Sequence, residues 1–417
     1  MSVSLADYRS ALTAPGAAVP VLTSALGRLP IAMFSLATLL YVQRTSGSFG
    51  VAGAVSAGTL VGVAVGSVAQ GRLMDRRGPT NVLLLAAALF GFGAAGLVAA
   101  VESGAPLAIV VLTGLAAGAA MPAMPGASRA LWEKLVPAGP RREAAFGYEA
   151  ISLEVFFVLG PGLAALLAAA PWAGTGAAVA VVAAVVGAVG FALTGAVRAD
   201  RGTPLVPGAP GRRSLLGALG TPGMRSVALA GLGFGVTVGA VEVGVPAFTA
   251  GQGSPWLGGV LLSAWSVTSV LVGVLYGMRP WPRALHVRMP VLVAAFGALV
   301  LLMWVAGAAG SLTLLVVVML VAGGLITPQT TGQSLLVEAV APRGTAAEAF
   351  GWVVTAITVG AAAGQSLAGV VVDAFGAPAA FVVGGGAGLG LGALLWMRRR
   401  SLEAGPDLHR APAQARR

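Results

Sequence analysis

The chain has 417 residues, 57% of them hydrophobic and 9% charged, with a mean hydropathy of +0.90 and a formal net charge of +11. A soluble chain carries about 25% charged residues, and a disordered one combines low hydrophobicity with high charge, so both classes are excluded. Cysteine is absent, which removes disulfides, thiol nucleophiles and cysteine-based metal centres. His286 and His409 are too far apart to suggest a metal cluster, and neither a metal nor a cofactor is expected. The composition belongs in lipid.

A helix needs about 20 apolar residues to cross a hydrocarbon core about 30 Å thick, and such runs recur along the whole chain. The first lies near 20–42 and contains Arg28 and Pro30. The second, near 49–70, ends in the polar octet Gly71-Arg72-Leu73-Met74-Asp75-Arg76-Arg77-Gly78, ahead of a third near 81–101. The fourth, near 106–128, meets Pro122 and Pro125 close to its end, which predicts a kink. The fifth, near 145–170, carries Tyr148, Glu149, Glu154 and Gly160-Pro161-Gly162, and the sixth lies near 174–197. Residues 198–225, with Pro204, Pro207 and Pro210, have the composition of an extended linker. Beyond it come runs near 226–250 with Glu242, 255–278, 289–309, 311–335 with Pro328, Gln329 and Gln333, 347–372 with Trp352, and 377–397. A basic tail, 398–417, closes the chain, and neither end reads as a cleaved signal.

Of the 25 Lys and Arg residues, all but Arg28 and Arg44 fall on the side that holds the N-terminus. Only an even number of crossings gives that asymmetry, and the positive-inside rule then places both termini in the cytoplasm of a cell-membrane protein. Basic clusters that recur after every second apolar run record insertion, so nucleic acid is not expected as a partner. No Gly-Lys-Ser/Thr phosphate loop, paired catalytic carboxylates or Ser-His-Asp set occurs. Neither an enzyme nor a direct user of ATP is therefore expected.

A weak internal repeat divides the runs six and six. Ala145-Phe146-Gly147-Tyr148 opens the fifth and Ala349-Phe350-Gly351-Trp352 opens the eleventh, 204 residues later, each running on to a glycine, Gly160 and Gly364, at the same offset. Duplicated halves around a midplane site are a transporter plan; the division makes 1–197 and 226–397 the two bundles. The octet 71–78 resembles the G-x-L-x-D-R-x-G signature between the second and third helices of the major facilitator superfamily. It departs at Pro79 and Thr80, where further basic residues are frequent, and its second-half counterpart, Gly277-Met278-Arg279-Pro280, is degraded. Gly160-Pro161-Gly162 resembles the Gly-Pro element in the fifth helix of many exporters of the superfamily, with Ala164 and Ala165 where glycines are usual. The basic residue that many proton-coupled drug exporters carry inside the fourth helix is missing, since Arg129 lies near that helix's cytoplasmic end. Arg28-Leu29-Pro30, with Glu154 ahead of Gly160-Pro161, resembles a branch common in high-GC, actinobacterial-type bacteria.

The resemblance covers essentially the whole chain. It implies an all-α membrane protein of twelve transmembrane helices in two pseudo-symmetric six-helix bundles, working as a secondary transporter by alternating access. It also implies that Asp75, with Gly71, Arg76 and Gly78, braces the halves on the cytoplasmic side and favours the outward-facing state. A monomer is the expectation, with a small molecule, protons and the lipid bilayer as partners.

Ionisable groups at membrane depth cost at least about 2.5–3.5 kcal/mol each on insertion scales and usually mark pathways. Arg28 is expected to be a cavity cation that binds an anionic substrate group or holds a carboxylate ionised; a snorkelling or statically paired arginine is the alternative. Glu154 is expected to carry a proton with Arg28 as its charge partner, and Glu242 to do so on the seventh helix, which lines the cavity in the superfamily. A static interhelical hydrogen bond is the alternative for each. Glu149 lies about 140° around the helix from Glu154, so it cannot share that face and is given a structural or gating role. Gln329 and Gln333 share a face and are expected to touch substrate or to hydrogen-bond a neighbouring helix. Tyr148 and Trp352, matched in the repeat, are gate candidates or packing anchors, and Gly160 and Pro161 are gate candidates too. The function these features favour is proton-coupled export of a small amphiphilic or drug-like molecule. Proton-coupled uptake of a small nutrient, an anionic one where Arg28 binds it, is one alternative, and a non-transporting membrane sensor or scaffold is the alternative from another class.

Overall fold

The computed structural model describes residues 5–137, 139–200, 217–277, 283–341 and 346–403. Among the described residues no strand occurs, and twelve stretches are long and apolar enough to cross a bilayer. A short helix α1 (Leu5–Leu12) precedes α2 (Ala18–Ser46), α3 (Phe49–Arg77) and α4 (Pro79–Glu102). The fourth crossing consists of α5 (Leu107–Ala120) and α6 (Met124–Leu135); α7 (Pro140–Ala168), α8 (Thr175–Ala192) and the single turn α9 (Gly195–Arg198) complete the half. In the second half come α10 (Pro222–Gly251), α11 (Pro255–Gly277) and α12 (Leu285–Ala308). The tenth crossing is again in two pieces, α13 (Leu312–Gly323) and α14 (Ile326–Val340), before α15 (Ala346–Phe375) and α16 (Pro378–Met397). The side chain of Asp75, the residues Met278, Arg279 and Pro280, most of the linker and the end of the basic tail lie outside the described residues.

Local chemistry explains the joints. Gly78 ends α3 at φ 79°, in the left-handed region that L side chains resist, and Pro79 opens α4 with the φ a helix start needs. One residue thus turns the chain between two crossings, which accounts for the last glycine of the octet. At Pro122 the chain does more than kink: Met121, Pro122 and Ala123 leave the helix altogether. Backbone groups freed at membrane depth need partners, and Gln70 of α3 supplies them. Its Nε2 donates to Ala119 O (3.1 Å) and Met121 O (2.9 Å), and its Oε1 accepts from Ala123 N (3.0 Å).

Packing divides the chain into two compact units. The first contains Met1–Pro207, Glu242–Ser266 and Gln365–Ala377; the second contains Gly208–Val241, Val267–Gly364 and Pro378–Arg417. The C-terminal parts of α10 and α15 and the N-terminal part of α11 therefore pack with first-half helices. Within the first unit Phe34 of α2 meets Phe90 of α4 edge-on, centroids 5.0 Å apart. Within the second, Phe234 of α10 meets Phe296 of α12 at 5.8 Å. The first pair joins the first and third crossings, the second the seventh and ninth. Each such pair contributes roughly 0.5–1.5 kcal/mol, which matters in lipid, where apolar burial alone drives little association.

The two ends of the first unit differ chemically. At one, Arg44 donates to Ala168 O (2.6 Å) and Ala170 O (2.7 Å), closing the end of α7, while Tyr41 Oη (2.8 Å) and Trp172 Nε1 (3.0 Å) donate to Glu102 Oε1. At the other, Lys134 pairs with Asp200 at 2.5 Å, and α1, α6 and the start of α7 share an apolar cluster of Ala11, Trp132 and Ala145.

Candidate functional site

Arg28 is 1% exposed, and its guanidinium is held on nearly every donor. Nη1 donates to Glu149 Oε2 and to Ser152 Oγ, both at 2.7 Å; Nη2 donates to Ser24 Oγ (2.9 Å), and Nε to Ser24 O (3.1 Å). The other carboxylate oxygen of Glu149 accepts from Ser128 Oγ and Trp132 Nε1, each at 2.7 Å. The Tyr148 ring lies under the guanidinium at 5.7 Å and meets Trp132 edge-on at 6.5 Å. Three helices, α2, α6 and α7, are tied by one ion pair whose polar atoms are almost all satisfied. Such a pair is costly to break from one side, because the survivor is a buried lone charge.

Contrary to the expectation from the sequence, Arg28 does not pair with Glu154. Glu149, a buried residue, holds the arginine, and Glu154 is exposed on another face of α7 with no hydrogen bond or ion pair among the described residues. The register follows from Gly160, where a Cβ would lie 2.9 Å from the Ala32 carbonyl carbon, so only glycine lets α7 sit this close to α2. That contact brings Glu149 and Ser152 level with Arg28. Pro161 and Ala165 lie on the face of α7 that carries Glu154 (seven and eleven residues on, about 20° off) and pack against Gly259 of α11.

Glu242 of α10 is partly buried and accepts a hydrogen bond from Gln365 Nε2 of α15 at 2.7 Å. Gln365 is itself 2% exposed, and its Oε1 has no partner among the described residues. Its backbone carbonyl abuts Gly53 of α3, where no Cβ would fit, and four residues on, Gly369 abuts the Phe49 carbonyl in the same way. Another turn on, Asp373 completes this antiparallel seam. Its carboxylate accepts from Ser48 Oγ (2.5 Å), Phe49 N (2.8 Å) and Gly50 N (2.8 Å), taking up amides that the first turn of α3 leaves open.

In the second unit, Gln329 and Gln333 are 0% and 2% exposed. Gln329 Nε2 donates to Leu325 O (3.2 Å) at the break in the tenth crossing, but its Oε1 and both amide atoms of Gln333 find no partner among the described residues. Trp352 packs against the apolar cluster built around Met224, Val293 and Val353. Around the octet, Gly71 has open space where a Cβ would stand and Arg76 is exposed. No group of three or more metal-type ligands occurs among the described residues.

Ser24, Ser128, Trp132 and Ser152 around the ion pair, and Gln365, Asp373 and Gln70 elsewhere, were not singled out by sequence reasoning. Two had a readable signal: Gln365 adjoins the repeat glycine Gly364, and Asp373 is an acidic residue near the end of the eleventh crossing.

Residues 20–347 match the family described as Major Facilitator Superfamily. No curated protein matches the chain in sequence. Among solved structures, a nucleoside transporter, NupG, is similar with a TM-score of 0.69 at 14% identity, covering 91% of this chain and 99% of that one. A peptide transporter, POT, in complex with alafosfalin is similar at 0.69 and 16% identity, covering 96% and 100%. A bacterial homologue of the iron transporter ferroportin in an inward-facing state is similar at 0.69 and 14% identity, covering 95% and 99%. At these identities the likeness is one of fold.

Proposed function

The chain belongs to the Major Facilitator Superfamily, a family of membrane transporters, and from that premise we propose proton-coupled export of a small amphiphilic molecule across the cell membrane, with both termini cytoplasmic. The orientation rests on the Lys and Arg asymmetry. Under it, the seam between the start of α3 and the end of α15 lies at the outer face.

The observation that carries the coupling is the Glu242–Gln365 hydrogen bond. A bond to an ionised carboxylate is roughly twice as strong as a neutral one, so a proton arriving on Glu242 weakens its hold on Gln365. The same face of α15 carries Gln365, Gly369 and Asp373 at intervals of four, so the helix that grips Glu242 also closes the outer seam. Loosening one contact biases the other, which is how a local charge change shifts a two-state equilibrium. Asp75, at the C-terminal end of α3, is the proposed brace of the cytoplasmic side; Asp373, at the C-terminal end of α15, is its outer counterpart.

Glu154 is proposed as a second carboxylate on the cavity wall, since its face of α7 turns towards α11 further along. Arg28 is proposed as a brace rather than a substrate ligand, because Glu149, Ser24 and Ser152 already occupy its donors. That removes the main support for uptake of an anionic nutrient. Gln329 and Gln333 are the proposed substrate contacts. Each buried amide atom without a partner costs about 1–3 kcal/mol, and a bound molecule that supplies partners recovers that energy. Export rests on the Gly160-Pro161 element and on the scarcity of polar side chains at membrane depth. Vesicles of both orientations, each given a pH gradient and a panel of fluorescent amphiphiles, test the direction. Proton-driven accumulation in everted vesicles alone is the expected result, and accumulation in right-side-out vesicles alone would establish uptake.

A further inference from the structure

A groove in the second unit plays no part in this coupling scheme. It is a cavity of about 600 Å³ between α11, α12 and the α13–α14 break. Its walls are apolar, with Val272, Leu275 and Val291 open to the surroundings at 38%, 61% and 48% exposure. Its deep end reaches Leu325, midway along the 26-residue tenth crossing Leu312–Val337. Its other end is cationic. Arg283 is exposed there, and Arg288 lies over the Tyr276 ring at 5.7 Å while Nη1 donates to the phenol oxygen at 3.0 Å. The groove therefore spans one leaflet, from two guanidiniums at the membrane edge to a hydrocarbon-lined floor at mid-depth.

We propose that this groove binds one anionic phospholipid of the cytoplasmic leaflet, with its phosphate against Arg283 and Arg288 and an acyl chain along the apolar walls. The leaflet assignment rests on the orientation proposed above. Guanidinium suits phosphate because it offers paired donors and is only weakly hydrated. Basic pockets between helices on the cytoplasmic side are suited to anionic headgroups, and the attraction is about 1 kcal/mol per basic residue near the surface. Insertion topology alone requires Lys and Arg on that side. It does not require a one-leaflet groove with apolar walls leading away from them.

The test uses the purified full-length chain in neutral detergent, titrated with phosphatidylglycerol, with phosphatidylcholine of the same acyl chains, and with glycerol 3-phosphate. Binding is read by native mass spectrometry and by thermal unfolding. The expected result is one tightly held phosphatidylglycerol that raises the unfolding temperature, with phosphatidylcholine and glycerol 3-phosphate binding at least tenfold more weakly. Arg283→Ala lowers phosphatidylglycerol affinity about fivefold, and Val291→Trp, which fills the groove without touching a charge, lowers it as well. Equal affinity for the two lipids, or unchanged phosphatidylglycerol binding in both variants, would overturn the proposal. Glycerol 3-phosphate binding as tightly as the lipid would make this a soluble-phosphate site instead. These readouts need neither transport nor a known direction, so they stand or fall separately from the transport reading.

Discussion

Arg28 shows how a charge is kept in oil. With both oxygens of Glu149 engaged and four hydrogen bonds from the guanidinium, the pair is nearly self-contained. Arg28→Ala should cost about 3–5 kcal/mol, because it strands the buried Glu149, whereas Arg28→Met with Glu149→Leu should recover most of the loss. Thermal unfolding in detergent measures both, and a single variant as stable as the parent would show that the pair does not hold the helices. Gln333 makes the opposite case. Replacing it by Leu removes two unpartnered buried atoms, so stability should hold or rise by about 1 kcal/mol while export of the substrate falls; unaffected export would remove Gln333 from the cavity. That Arg28, Glu149, Glu154 and Glu242 stand within long apolar helices was legible in the sequence, as was the separation of Glu149 and Glu154 onto different faces. The choice between them was not. It depends on how far α7 slides along α2, which the Gly160–Ala32 contact fixes and helical periodicity cannot see.

At the scale of helices, the joints decide what can move. Gln70 takes up three backbone groups at the break in the fourth crossing, so Gln70→Ala should destabilise by roughly 1–3 kcal/mol through unmade hydrogen bonds at depth. Thermal unfolding checks this, and no loss would mean that the broken backbone finds other partners. Pro122 and Pro125 made the interruption readable; its partner on α3 was not, because a glutamine near a helix end carries no mark of what it faces. The α3–α15 seam is a sharper case. Asp373 caps the start of α3 from another helix, and losing its charge should weaken the contact by about 0.5–2 kcal/mol. The chain has no cysteine, so spin labels introduced at the exposed Thr45 and Phe375 report this end without background. Asp373→Asn should shift their distance distribution to longer values, and an unchanged distribution would show that Asp373 does not hold the seam closed.

For the whole molecule, apolar runs of bilayer length and basic residues on alternate connections were enough to specify twelve membrane helices, and the resemblance of the octet 71–78 to the superfamily's signature supplied the family. Apolar length and charge placement are insertion physics, written locally along the chain. The proposed coupling route is not written locally: Glu242 was visible as a carboxylate within an apolar run, but Gln365 lies 123 residues away in sequence, and only the packed helices join them. The central claim is that a proton on Glu242 drives the cycle through that joint. In proteoliposomes under an imposed pH gradient, Glu242→Gln should lose concentrative transport of a fluorescent amphiphile such as ethidium while retaining downhill exchange of the same probe. Concentrative transport by Glu242→Gln at the parental rate would contradict it.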